Sequence, residues 1–321
     1  MKIGVFTTLF SQMSLEEMLK TVTGLGAKMV EIGCGGYPGR AHADPEILLN
    51  QPDKLQEFKD TIEKYQVEIS ALSCHANPIH PNKEFAQKQD RELRNTVLLA
   101  EKLGISIVNT FSGCPGDSPD SHYPNWVTCA WPPDYQKILT YQWEECLIPY
   151  WQEFSDFSVN HGVDKIAFEL HPGFMLYNTS SLLRLREAVG KTMGANLDPS
   201  HLIWQGMDPV LVIRELGEAV FHFHAKDTKI DPYNTAKNGV LDVTSLGEGS
   251  SRSWQFRTVG YGNDQLYWNG IISELRAVGY DHAISIEHED AMMSDLEGLS
   301  KAISFLENVV IKTQPTEVFW A

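Results

Sequence analysis

Short apolar runs alternate with longer amphipathic stretches along almost the whole chain, and the alternation repeats eight times. KIGVF comes first, followed by a helical stretch opening at Ser14, where SLEE (Ser14 to Glu17) has the spacing of a capping box. AKMVEI precedes a predicted helix over 52–65, VEISALS one over 84–103, and ISIVNTF one over 141–161. DKIAFEL is followed by SSLLRLREAVG. GANLD leads through a loop to VLVIREL, with Asp208 as the cap and Pro209 in the first turn. After AVFHFHAK the helix comes late, over 268–278, and after HAISIE the segment SDLE (Ser294 to Glu297) caps a last helix. Short, mostly apolar strands separated by helices indicate a parallel sheet covered on its faces. Eight such units favour closure, so the expected architecture is α/β: a (β/α)8 TIM barrel forming a single domain over 1–321.

Two connections exceed the ordinary ~2–6 residues of a βα loop. One runs from Ser112 to about Lys137 and the other from Lys226 to about Tyr267. Both follow strands and therefore leave the rim where barrel enzymes work, which makes them lids, ligand walls or partner surfaces. Gly35-Gly36 and Gly260-Tyr261-Gly262 read as tight turns. No P-loop or GxGxxG follows the first strand, so nothing marks a nucleotide fold.

Composition narrows the classes further. Hydrophobic residues make up 42% and charged residues 21%, as in soluble globular proteins. No apolar run reaches the ~18 residues of a membrane span, and MKIGVFTTLF reads as a first strand rather than a secretory signal. Five cysteines with no CxxC pair point to free thiols and a cytoplasmic setting. The formal charge of 26 − 42 = −16 opposes binding to a nucleic-acid backbone and leaves a neutral sugar open.

Four residues carry the candidate chemistry. Glu169, Asp198, His224 and Glu287 end the runs DKIAFE, MGANLD, AVFHFH and DHAISIE. Strand C-termini of a closed barrel converge on one rim, so these side chains are expected to meet there. Three carboxylates and one imidazole suit one divalent ion, Mn²⁺ first, with Mg²⁺ or Co²⁺ as alternatives. Acidic residues after strands also serve as helix caps, which is the competing reading.

Around this set, His171 lies two residues beyond Glu169 and shares its side if the strand continues. A neutral imidazole there is a candidate base, with loop packing as the alternative. His75 and Asn77, in SCHANP, should reach the mouth to bind hydroxyls or relay a proton, and Lys226 is placed to steady a substrate oxygen. Trp126, Trp131, Trp254 and Tyr261 are candidates for stacking on a sugar face or aryl ring, or else core fillers. Arg257 is a candidate donor to a carboxylate, phosphate or sugar oxygen.

The stretches FELHPG, NLDPSH, HFHAKD and SIEHED give the chain a resemblance to the xylose-isomerase-like barrel superfamily, which includes sugar phosphate isomerases/epimerases and an endonuclease IV branch. The resemblance covers nearly the whole chain. In its ketose 3-epimerase branch it implies that Glu169, Asp198, His224 and Glu287 hold one divalent metal, commonly Mn²⁺. It also implies that the two glutamates exchange protons with substrate, which makes Glu169 the first candidate base, with Glu287 opposite and His171 its rival, and that His201 approaches substrate or metal. The endonuclease branch uses more His and Glu ligands for three zinc ions, and the acidity of this chain fits that poorly. The resemblance extends to the catalytic α subunits of C-glycoside deglycosidases, which work with a small β subunit on 3-keto-C-glycosides. The expected function is thus a divalent-metal-dependent isomerase or epimerase, acting on a non-phosphorylated keto sugar through an enediolate. The alternatives are a keto-glycoside lyase needing a small β subunit in a hetero-oligomer, and a non-catalytic carbohydrate-binding protein. Without that subunit a homo-oligomer is expected, and neither nucleic acid nor a membrane is an expected partner.

Overall fold

The computed structural model describes residues 1–314 of the chain. Eight parallel strands close into a barrel: β1 (Lys2–Phe6), β2 (Met29–Gly36), β3 (Glu68–His75), β4 (Ile107–Thr110), β5 (Lys165–Glu169), β6 (Met193–Leu197), β7 (Val220–Ala225) and β10 (Ala283–Ile286). β1 closes the ring by pairing with β2 on one side and β10 on the other. Their nearly continuous burial reflects the two surfaces each strand covers, the helical ring outside and the packed barrel interior within.

The helices that alternate with these strands follow the predicted pattern closely. Ser14 caps α1 (Leu15–Gly24) with both halves of the capping box formed, a device that contributes ~1 kcal/mol. α3 (Pro52–Lys64), α4 (Lys83–Leu103) and α11 (Gln265–Ala277) occupy the predicted stretches, and Asp208 accepts from the Val210 amide to cap α9 (Pro209–Leu216). Ser294 precedes α12 (Asp295–Val309), yet its side chain accepts no cap hydrogen bond. Three short helices escape the periodic signal because each spans under two turns: α2 (Pro45–Asn50), α8 (Pro199–Trp204) and α10 (Pro232–Asn238).

The stretch predicted as one helix over 141–161 is longer and uneven. It begins as α5 (Asp134–Thr140), widens into a π-helical turn over Tyr141–Leu147, and continues as α6 (Ile148–Asn160). Pro149 removes an amide from the helical ladder, and the Ile148 amide bonds the Trp143 carbonyl five residues back.

The second long connection is not a plain loop. β8 (Asp227–Ile230) and β9 (Trp254–Arg257) pair antiparallel above the barrel, and the Asp231 amide bonds the Ser253 carbonyl at 2.9 Å. Residues 231–253 are therefore an excursion closed at its base by a two-stranded stem. Asp242 accepts from the Ser253 amide at 2.6 Å, and Trp254 donates to the Val240 carbonyl at 3.0 Å, which folds the excursion onto its own stem.

All five cysteines are free. Burial pushes the Cys34 and Cys74 thiols well up and the Cys114 thiol up to about 12, while Cys129 is exposed and Cys146 half-buried. Brief alkylation of the native protein should label Cys129 first and Cys146 more slowly, with the other three reacting only after denaturation. Peptide mapping by mass reads this directly, and native labelling of Cys34 or Cys74 at the rate of Cys129 would contradict the fold.

Candidate active site

Inward-facing polar residues stack below and at the strand C-termini. Glu169 ends β5, Asp198 follows β6, His224 is the next-to-last residue of β7 and Glu287 follows β10. Each offers an oxygen or nitrogen within 4.8 Å of the others. Asp198 does two things at once. Its Oδ1 accepts from the Ser200 amide at 2.8 Å and caps α8, while its buried Oδ2 has no hydrogen-bond partner and faces the cluster. The cap reading and the ligand reading are thus the two oxygens of one carboxylate.

The cluster is strongly charged and largely buried. Burial alone would raise the Glu169 pKa, but His201, His224 and His75 hold it well below the usual carboxylate range. Burial likewise opposes the Glu287 charge, and Lys226 and His224 overcome it, holding the pKa down to about 2. His224 and Lys226 behave as the matching cations. Burial disfavours both charges, yet Glu31 and Glu287 hold the imidazole well above its ordinary value, and Asp198, Glu287 and Glu289 do so for the ammonium. Lys226 Nζ lies 2.8 Å from Glu287 Oε2, 3.0 Å from Glu289 Oε2 and 3.2 Å from Asp198 Oδ2.

The donor set fits a hard divalent cation. Three carboxylates and one imidazole converge from four strand ends, and the buried Asp198 Oδ2, ion-paired with Lys226 at 3.2 Å, is an acceptor aimed at the same point. His201 Nε2, also buried without a hydrogen bond, lies 3.1 Å from Glu169 Oε1 and 3.4 Å from Asp198 Oδ2.

One cavity opens onto this cluster and a second lies beside it. One of about 280 Å³ is lined by His75, Glu169, His171, Lys226 and Glu287, with Phe6, Tyr37, Phe111 and Glu289 among the walls. The other, of about 380 Å³, is mainly apolar, and its walls include Trp126, His201, Trp204, Trp254 and Phe256. His171 borders both. Its Nδ1 lies 2.6 Å from the Pro172 carbonyl and must donate there, which leaves Nε2 as an acceptor. Burial and the neighbouring His201 and Lys226 push its pKa down to about 3, so the ring is neutral at pH 7.

The remaining predicted binding residues lie elsewhere. Asn77 holds both the amide and the carbonyl of Cys114, at 3.0 and 3.2 Å, and so pins the loop after β4. Arg257 is paired with Asp290 at 3.1 Å. Tyr261 is 44% exposed and Trp131 74% exposed, and neither lines these two cavities. Asp227, next to Lys226 in sequence, points to the other side of the strand. It accepts from the amides of Gly260, Gly262 and Asn263 at 3.1, 3.1 and 2.9 Å and from the Trp268 indole at 3.2 Å, anchoring the rim segment that follows β9.

Glu31, in the middle of β2, is the residue that sequence reasoning missed. It is fully buried within 3.0 Å of His224, and its signal was an acidic side chain inside the apolar run AKMVEI. His288, by contrast, packs over Gly298, where any Cβ would collide with the ring at 2.0 Å.

The closed barrel and its rim cluster define a class of barrel, and comparison gives the family. The model of the xylose isomerase-like TIM barrel family matches residues 19–309, and the chain belongs to that family. It is 37% identical to protein YfiH of Bacillus subtilis (strain 168) over 313 residues, covering 97% of this chain and 99% of that one. In structure it is similar to the probable 3-DHS dehydratase AsbF of Bacillus anthracis, with a TM-score of 0.67, 19% identity, and coverage of 96% of this chain and 99% of that one. It is also similar to a D-tagatose 3-epimerase-like protein, with a TM-score of 0.64, 20% identity, and coverage of 96% and 98%. Among the described residues no helix is long and apolar enough to cross a membrane.

Proposed function

We propose that the chain is a divalent-metal-dependent isomerase or epimerase that removes a proton beside the carbonyl of a non-phosphorylated keto sugar. The observation that carries this reading is the convergence of Glu169, Asp198, His224 and Glu287 beside a small polar cavity that Glu169 and Glu287 line. These four residues would hold the ion, Mn²⁺ on the donor chemistry. When bound, it supplies Lewis-acid stabilisation of negative charge developing on substrate oxygen.

The protein's own groups supply the rest. His171 is the proposed proton acceptor, because it is neutral, has a free Nε2, borders the cavity and lies outside the four-residue donor set. Glu287 and Glu169 flank the same cavity and are the partners for proton return from the other side. Lys226, held cationic by its carboxylate neighbours, is placed to meet an anionic substrate oxygen. The cavity walls carry Glu169, Glu287 and Glu289 against the one ammonium, already ion-paired, which disfavours a phosphorylated substrate.

The mainly apolar cavity beside His171 favours a second reading. A lyase that expels an aromatic group from the carbon next to the carbanion needs such a wall, and would begin with the same proton removal. On that reading a second, small polypeptide completes the site; on the first, the chain works alone or as a homo-oligomer. The names of the two solved barrels, a dehydratase and an epimerase-like protein, span both outcomes.

Incubating the Mn²⁺-loaded protein with free ketoses and 3-keto-glycosides in D₂O separates the readings. Deuterium uptake with otherwise unchanged mass supports isomerisation or epimerisation, and release of an aglycone supports the lyase. Preference for a sugar phosphate would overturn the substrate class. Binding with neither exchange nor turnover would leave a carbohydrate-binding role.

A further inference from the structure

Beneath the four-residue cluster the barrel interior is built around one carboxylate. Glu31 projects from β2 and is fully buried. Ser73 Oγ from β3 donates to it at 2.5 Å, Asn109 Nδ2 from β4 at 2.9 Å, and Ser285 Oγ from β10 at 2.7 Å. His224 from β7 completes the ring, with Nε2 2.9 Å from one Glu31 oxygen and 3.0 Å from the other. Four other barrel strands thus aim an interior side chain at a single anion.

A carboxylate only accepts, so the imidazole nitrogen facing it must carry a proton. Asn196 also approaches His224 Nε2, at 3.0 Å, but its Oδ1 is engaged with His222 Nδ1 at 2.9 Å, and a neutral amide does not outweigh a full charge. On the opposite edge of the ring, Nδ1 lies 3.2 Å from Glu287 Oε2 and 3.4 Å from Glu169 Oε2. The ring is further held flat against Phe6, with 5.5 Å between centroids and 28° between planes.

We propose that Glu31 is a positioning residue: it keeps a His224 proton on Nε2, so that Nδ1 is the nitrogen that gives up its proton and presents a lone pair when a cation enters the point where Glu169, Asp198 and Glu287 converge. The inference rests on the metal-site reading above. Carboxylate partners of ligating histidines fix the tautomer and raise ligand basicity, and their loss typically weakens metal binding by about 10–100-fold. The serines and Asn109 act one step further out, since their donors hold Glu31 as an anion without touching the site. The arrangement also uses Glu31 fully, and a second cation between Glu31, His222 and His224 would compete with these donors.

Mn²⁺ affinity, read from the electron paramagnetic resonance of the free ion, is measured for the parent and for Glu31→Gln. Circular dichroism and cooperative melting first establish that the variant is folded. The expected result is a Kd raised about 10–100-fold, and a Kd within twofold of the parent in folded Glu31→Gln overturns the proposal. Should the variant not fold, nitrogen-15 spectra of histidine-labelled parent protein saturated with Zn²⁺ decide, with His224 assigned through its contacts to the Phe6 ring. A proton on Nε2 supports the proposal, and a proton on Nδ1 overturns it. A parent protein that binds no Mn²⁺ at all would instead overturn the metal reading beneath it.

Discussion

Replacing Glu169 with Gln together with Asp198 with Asn should abolish stoichiometric metal retention, weakening binding on the order of 100-fold or more. The purified parent should hold about one Mn²⁺-like ion. Two of the three carboxylates would be lost, one paired with Lys226 and one with His224. Asp198→Asn keeps an acceptor able to cap α8, so the fold should survive while the second oxygen loses its charge. Elemental analysis with a titration measures the outcome. Full retention by the double variant, or three zinc ions per parent chain, would sink the mononuclear assignment.

The second large effect is expected at His171. His171→Asn should slow exchange of the substrate proton by about 10²–10⁴-fold, the usual contribution of a general base, equivalent to roughly 3–5 kcal/mol of barrier. Metal content should stay at the parent level, because the ring is outside the four-residue set. Exchange measured in D₂O against metal content distinguishes this from ligand loss. If His171→Asn exchanges at the parent rate while Glu169→Gln, reloaded with excess Mn²⁺, does not, the acceptor is the glutamate. The low pKa of His171 makes its catalytic limb independent of imidazole protonation above pH 5. On acidification the contribution of His171 itself should fall only as pH approaches about 3, so an earlier loss of rate would report on other groups, the metal ligands first.

The barrel was readable because its signals are repetitive and local. Each strand is a short apolar run and most helices carry caps that need only neighbouring residues, such as Ser14 with Glu17 or Asp208 with Val210. Convergence of Glu169, Asp198, His224 and Glu287 was readable for a topological reason: any residue at a strand C-terminus is delivered to the same rim. What escaped depends on pairings across long sequence separations. Glu31 meets Ser285 across 254 positions and His224 across 193, and an acidic side chain inside an apolar run does not by itself say which partners it meets. Arg257 looked like a substrate donor until its partner, Asp290, arrived from 33 residues away. Asn77 was expected to bind hydroxyls at the mouth, but its amide is spent on the backbone of Cys114 in the loop after β4.

The closed base of the excursion over 231–253 separates two kinds of change. Its own residues Leu241, Asp242, Val243, Thr244, Leu246 and Arg252 form about half of the apolar cavity wall. The four-residue cluster comes entirely from barrel strand ends. Because chain enters and leaves the excursion through adjacent backbone positions at Asp231 and Ser253, a segment of different length can be spliced there without shifting the register of β7 or β10. Descendants of such a barrel can diversify in what they admit while inheriting the same reacting centre. Directed exchange of this one cassette is the natural unit for altering selectivity.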